Sequence, residues 1–240
     1  MTSKSKDTFF DGQVVLQQPS DGYRHSIDPV LLVHFCCPNP NDRVLDLGTG
    51  NGIIPVILAY RYKNITISAV EIQPSLHQLA KENVAANHLQ SRVTLHLGDI
   101  KQLSTVLPSK CFNLVVSNPP YIECRSGRVN PNRKKAIARH EIEITLKEVL
   151  FAAYTMLSPM GRFAIVYPAS RLTDLLCFMR RCNLEPKRLR WIHGRADLDA
   201  KRVLIEGRKH GKPGLKVTPP LVIYKEDGTY TNEVNRMFLP

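Results

Sequence analysis

Leu45-Asp46-Leu47-Gly48-Thr49-Gly50-Asn51-Gly52 decides the fold. Residues 43–47 form a short apolar run with strand character, closed by a turn signal. Glycines at 48, 50 and 52 make a tight turn, and the apolar run 53–60 behind them reads as a helix. Strand, glycine turn and helix in that order open a parallel α/β sheet. Glycine in such a turn permits positive φ and lets a ligand reach the backbone without meeting a Cβ.

The same alternation continues outward. Residues 65–71 read as a second strand, and 74–87 as a helix with apolar positions at 76, 79, 80 and 84. Strands follow at 93–97, ending at Gly98-Asp99, and at 112–117. A helix over 141–157 is expected to stop at Ser158-Pro159-Met160-Gly161. A strand at 163–167, a helix at 171–181 and two strands at 187–193 and 202–206 complete the set. The last two lack an intervening helix, which implies an antiparallel edge. Upstream, 13–23 is short, polar and turn-rich. Asp28-Pro29 then fits an N-cap and first position opening a helix on the apolar run 30–37. The expectation is a Rossmann-like α/β fold. It has a doubly wound, mostly parallel seven-stranded sheet with an antiparallel edge strand. Residues 1–240 form one domain with a short N-terminal extension to about residue 40.

Composition narrows the classes. Of 240 residues, 43% are hydrophobic and 22% charged, as in a globular protein. Residues 1–10 carry two lysines and no apolar stretch, so no secretory signal is read there. No apolar run approaches the roughly 20 residues of a membrane helix. Six cysteines form no C-x-x-C pair, so neither zinc nor a disulfide framework is suggested; reduced thiols in the cytoplasm are expected. The net charge is +12, of which residues 1–120 hold +1 and residues 121–240 hold +11. A polyanionic partner meeting the second half is the natural inference, and nucleic acid the favoured one.

Glu71 ends the second strand, where a carboxylate accepts hydrogen bonds from ribose hydroxyls. Asp99, past the third strand, is placed to accept from an adenine amine. Both a dinucleotide and S-adenosylmethionine suit an acid on a ribose. A dinucleotide turn carries G-x-G-x-x-G, and here Ile53 occupies the third glycine's place. S-adenosylmethionine is therefore favoured. The candidate cofactor residues are Asp28, Asp46, Gly48, Gly50, Asn51, Gly52, Glu71, Ile72, Asp99, Ile100 and Asn118. Asn118-Pro119-Pro120-Tyr121 follows the fourth strand and is the candidate catalytic segment. An exocyclic amine is a poor nucleophile because its lone pair is delocalised into the ring. The Asn118 amide oxygen and the Pro119 carbonyl can accept its two N–H bonds and free that pair. The prolines stiffen the loop, and Tyr121 can stack on the base. This is catalysis by orientation and electrostatics, with no strong base required.

At these residues the chain resembles class I S-adenosylmethionine-dependent amino-methyltransferases with an N-P-P-Y motif. More narrowly, it is similar to the bacterial tRNA(Val) adenine-N(6) methyltransferases, over about residues 13–224. The segments carrying the narrower likeness are Gly22-Tyr23-Arg24-x-Ser26-x-Asp28, Ala138-Arg139-His140-Glu141, Pro186-Lys187-Arg188-Leu189-Arg190 and Pro219-Pro220-Leu221. Ile122 is a departure, since some relatives carry an aromatic residue there. The resemblance implies that Asp46 and Glu71 hold the cofactor and that residues 118–121 hold an adenine. The adenine is that of the adenosine 3′ of the anticodon, position 37.

The polar stretch 122–138 is long for a structureless connection, which points to function. Arg125, Arg128, Arg133, Lys134 and Lys135 there, with Arg24, Arg139 and His140, are the candidate RNA contacts. His140 reads as a helix-start or phosphate-touching residue rather than a catalytic one, and Trp191 as core. The chain is expected to act as a monomer on tRNA, without membrane or metal. Two rivals stand beside this reading. A protein glutamine-N(5) methyltransferase acting on release factors meets the same electronic problem, but carries a helical domain ahead of the sheet, and residues 1–42 do not read as one. A catalytically inert RNA-binding fold is at odds with the presence of Asp46, Glu71 and Asn118.

Overall fold

The computed structural model describes residues 4–19, 26–119 and 146–239. The chain opens with an antiparallel hairpin, β1 (Lys4–Phe9) and β2 (Val14–Pro19), where a polar turn was expected. Phe10, Asp11 and Gly12 all take left-handed φ and make a tight reversal. Val14 and Leu16 alternate inward and are buried. Helix α1 (Asp28–Cys36) begins one residue earlier than the cap signal implied. Ile27 is its N-cap and Asp28 is already helical, its carboxylate bonded instead to Arg202.

The expected strands follow as β3 (Arg43–Leu47), β4 (Thr66–Glu71), β5 (Val93–Leu97), β6 (Phe112–Ser117), β7 (Leu157–Pro168), β8 (Leu184–His193) and β9 (Ala200–Lys209). Two-residue strands β10 (Lys216–Val217) and β11 (Leu221–Val222) both pair with β8, giving nine strands in the main sheet. The order is β5-β4-β3-β6-β7-β9-β8-β10. Every pair is parallel except those of β9, the reversed strand, which lies between β7 and β8. β7 begins at Leu157, earlier than the Ser158-Pro159-Met160-Gly161 stop suggested. Phe112 pairs with Leu157 and Leu114 already with Arg162, so the intervening residues bulge out of the ladder. Met160 is left-handed there, and a Cβ on Gly161 would lie 2.9 Å from a Leu157 methyl.

Helices α2 (Ile53–Arg61), α3 (Pro74–Ala86), α4 (Leu146–Met156) and α5 (Leu172–Arg181) connect the strands, and a short α6 (Asn232–Arg236) sits near the carboxyl terminus. The central strands alternate between two cores. Val44, Leu114, Val116, Ala164, Val166 and Leu204 face α1, α2 and the hairpin. Leu45, Val115, Phe163, Ile165, Val203 and Ile205 face α4 and α5. Each fully buried side chain contributes about 1.5–3 kcal/mol, which is why these strands read as continuous apolar runs. Trp191 packs, half-buried, on the second core. Arg162 on β7 and Arg188 on β8 donate to the last carbonyls of α1, at Phe35, Cys36 and Cys37, and share Glu206 on β9. No described helix is long and apolar enough to cross a membrane.

Candidate active site

The strand order reverses at β3, which lies between β4 and β6, and ligands of such sheets bind outside the carboxyl ends at that switch. The register brings the candidate residues to one edge. Leu47 pairs with both Val70 and Ser117, and Glu71 with Leu97. Gly48, Ile72, Gly98 and Asn118 are the residues that step off these four strands. Gly48 and Asn118 are therefore neighbours, and the Ser117 hydroxyl fastens their strands by donating to the Leu47 carbonyl at 2.9 Å. Asn118 is half-buried and Pro119 buried.

The glycines divide by role. Gly48, Gly50 and Gly52 have φ of 75°, 60° and 84°. A Cβ on Gly52 would meet the Ala80 Cβ of α3 at 3.1 Å, so this glycine allows helix packing. Cβ atoms on Gly48 and Gly50 would meet nothing within 4 Å. Their backbone borders an open cradle that side chains would fill, as a nucleoside cofactor requires.

Glu71 braces this turn. One carboxylate oxygen accepts the Gly50 N–H at 2.8 Å and the other accepts the Gln73 N–H at 2.9 Å. Each oxygen keeps a lone pair for a further donor such as a hydroxyl. Sequence reading gave Glu71 a role toward the ribose alone; the buried carboxylate also fixes two loops.

Asp46 is fully buried on β3, and neither of its oxygens has a hydrogen-bond partner among the described residues. Burial pushes its carboxyl up to about 7, and the nearby negative charge of Glu71 adds to the rise. The Thr49 hydroxyl is near enough to offset part of that rise, but short of hydrogen-bond geometry. A buried acid so placed fits a cationic group, which S-adenosylmethionine carries. The unfolded chain ionises this group near 3.9, so from about pH 4 to about pH 7 only the folded state holds its proton. Stability from this group therefore falls as pH rises through that window. A bound cation favours the ionised form, so cofactor binding at about pH 6.5 should release up to one proton. Asp46→Asn should abolish the release. Calorimetry in two buffers of different ionisation enthalpy measures it, and equal heats for the native protein would detach Asp46 from the cofactor.

Asn51 is turned toward the hairpin. Its amide donates to the Gln17 carbonyl at 2.9 Å. Fully buried Asn83 on α3 accepts from Gln17 N–H at 2.8 Å and donates to the carbonyls of Gln17 and Asn51 at 3.0 and 2.9 Å. Asn87, one turn on, bonds the N–H and carbonyl of Val15. Two asparagines at i, i+4 thus act as a surrogate strand for β2 and tie it to the glycine turn. Sequence reading passed over Asn83 and Asn87; the signal was a pair of polar residues interrupting the apolar face of α3.

Asp99 caps the 3-10 turn Ile100–Thr105 by accepting from Lys101 N–H at 2.9 Å and pairs with the Lys101 ammonium at 3.5 Å. Ile100 is buried in the second core, and Ile72 is half-buried beside Glu71. Asp28 is ion-paired with Arg202 of β9 at 3.3 Å, with β7 and β6 between it and the glycine turn. Pro120, Tyr121, Arg24, Arg125, Arg128, Arg133, Lys134, Lys135, Arg139 and His140 lie outside the described residues. A cavity of about 260 Å³ near His34, Glu233 and Met237 lies under α6, at the far end of α1 from Asp28, and is separate from this edge.

An open glycine turn with buried acids at Asp46 and Glu71, and an Asn-Pro segment one strand away, is the arrangement of a class I S-adenosylmethionine-dependent methyltransferase. A methyltransferase-domain family matches residues 38–196. A tRNA1(Val) (adenine(37)-N6)-methyltransferase from Porphyromonas gingivalis is 31% identical over 98% of this chain and 94% of its own. Among solved structures, a protein from Agrobacterium tumefaciens described as a predicted O-methyltransferase superposes with a TM-score of 0.72 at 18% identity. That match covers 88% of this chain and 94% of the other. M. jannaschii TYW2 in complex with AdoMet gives 0.61 at 15% identity, covering 87% and 86%. The chain belongs to the tRNA1(Val) (adenine(37)-N6)-methyltransferase family.

Proposed function

We propose that this protein methylates N6 of an adenine in tRNA, namely adenosine 37 of tRNA1(Val), as a cytoplasmic monomer. The carrying observation is the adjacency of Asn118-Pro119 to the open glycine turn, which sets an amine-holding segment beside a cofactor cradle. The name shared by the relatives supports the choice of RNA.

Bound S-adenosylmethionine supplies a methyl group on a positively charged sulfur. Asp46 offers a carboxylate to the cofactor's cationic end, Gly48 and Gly50 a backbone without side chains, and Glu71 its remaining lone pairs to the ribose. Asn118 and the Pro119 carbonyl accept the two N–H bonds of the adenine amine, drawing its nitrogen toward a pyramidal shape. Tyr121 stacks on the base, and Pro119 and Pro120 hold the segment stiff. The methylated nitrogen is acidic enough to lose its proton to water. An anticodon-loop base is already unpaired, so turning it into a pocket costs less than extruding a paired one. Arg24, Arg125, Arg128, Arg133, Lys134, Lys135, Arg139 and His140 hold phosphates around it.

Incubating the protein with labelled S-adenosylmethionine and either total tRNA or release factor tests the reading. Label in tRNA, recovered as N6-methyladenosine on digestion, supports it. Label confined to release factor makes the enzyme a glutamine methyltransferase, and no transfer to either leaves an RNA-binding fold.

A further inference from the structure

The carboxyl half's positive charge is not spread evenly over the fold. Part of it is internal: Arg162 and Arg188 bind α1 and Glu206, and Lys209 is buried, its ammonium donating to the carbonyls of Tyr154 and Leu157 at 2.6 and 2.7 Å. Six other cations gather at the amino end of the sheet, opposite the site. Arg180 and Arg181 end α5, Lys187 lies near the start of β8, and Arg208 near the end of β9. Lys212 follows in the β9–β10 connection, and Lys216 opens β10. The register brings them to the same end of the sheet, Arg208 on its α1 side and Arg180 and Arg181 on its α5 side. Glu185 pairs with Arg208 and Arg188 with Lys216, while the Lys187 ammonium donates to the Lys212 carbonyl at 3.1 Å. Five of the six are exposed and Lys187 is half-exposed. Glu185, paired with Arg180 at 3.2 Å, is the only acid within 180–187, and 207–216 holds none.

An excess of cations over acids at one end of the sheet favours a polyanion that displaces their counterions. β9 spans 10 residues, roughly 30 Å at about 3.3 Å each, between this surface and the carboxyl edge. Lys147 at the start of α4 and Arg181 both lie over the Phe178 ring, at 4.9 and 5.8 Å, and carry positive charge along the α4–α5 face between the two ends.

We propose that Arg180, Arg181, Lys187, Arg208, Lys212 and Lys216 form a second RNA-binding surface. It grips the phosphate backbone of the tRNA body, about 30 Å from the base being methylated. The proposal rests on the tRNA reading above and adds where the rest of that substrate lies. On this arrangement a short anticodon hairpin would fill the carboxyl edge without engaging the amino end, whereas a full-length tRNA would engage both.

The test compares the native protein with R208Q/K212Q/K216Q and, separately, R180Q/R181Q, on full-length tRNA and on an anticodon stem-loop hairpin. Binding is followed against salt, and methyl transfer under steady state. For the triple variant the expected result is a KM for full-length tRNA raised on the order of tenfold with kcat unchanged. Its log–log salt slope should be shallower by about 2–3, at roughly 0.7–0.9 for each phosphate that is no longer neutralised, and its handling of the hairpin unchanged. Unaltered binding of full-length tRNA by both variants overturns the proposal, as does an equal loss on tRNA and hairpin, which would mean steering by net charge alone. Should the native protein methylate neither RNA, the activity reading fails, and the salt slopes for tRNA binding still decide this surface.

Discussion

Asn118→Ala is expected to slow methyl transfer by about 10²–10³-fold, the range for one preorganised polar contact to a reacting group. Leu47 and Ser117 are paired and hydrogen-bonded, so Asn118 is held beside Gly48 by the sheet itself. On the proposed mechanism, removing the amide takes away one of two acceptors for the adenine N–H bonds and lets the lone pair return to the ring. The backbone that places the segment should survive, because β6 is buried on both faces and ends at Ser117. Cofactor affinity should change little, since the amide is proposed to serve the acceptor base. Single-turnover transfer to saturating tRNA measures this directly; a loss below about tenfold would end the amine-holding role.

Glu71→Ala carries the next largest effect. Loss of a charged acceptor should weaken S-adenosylmethionine by about 2–3 kcal/mol, roughly 30- to 150-fold in Kd. The carboxylate also accepts the Gly50 and Gln73 N–H groups, so the same change leaves two backbone donors without their acceptor. A stability loss of at least about 1 kcal/mol should accompany the weaker binding. Glu71→Gln keeps one acceptor oxygen and should fall between the two. Calorimetry for binding and thermal melting for stability separate the roles: an unchanged Kd with a lowered Tm would make Glu71 a brace and nothing more.

What the sequence made legible was local. The run from Arg43 to Arg61 is read correctly because its apolar residues and glycines need no distant partner to be interpreted. Glu71, Asp99 and Asn118 stand at strand ends for the same reason. The hairpin was hidden because Val14 and Leu16 are only two inward positions, and the groups that hold β2, Asn83 and Asn87, lie 66 and 72 residues away. The start of β7 was hidden because Ser158-Pro159-Met160-Gly161 reads as a stop, whereas here it is a bulge between two paired stretches. Asp28 was read as an N-cap, and the arginine it bonds instead is 174 positions distant. Composition located the positive charge in the second half but could not divide it. Only the fold separates Arg162, Arg188 and Lys209, spent on carbonyls and Glu206, from the cations left facing solvent.

Residues 118–121 are proposed to present one adenine amine of tRNA to a cofactor seated on the glycine turn. The most direct measurement is methyl incorporation into unmodified tRNA1(Val) transcripts, with adenosine 37 intact or replaced by guanosine. The expected result is one methyl per intact tRNA, located on N6 of adenosine 37, and none on the guanosine form. Equal incorporation into both transcripts, or a methyl on any other nucleotide, would contradict it.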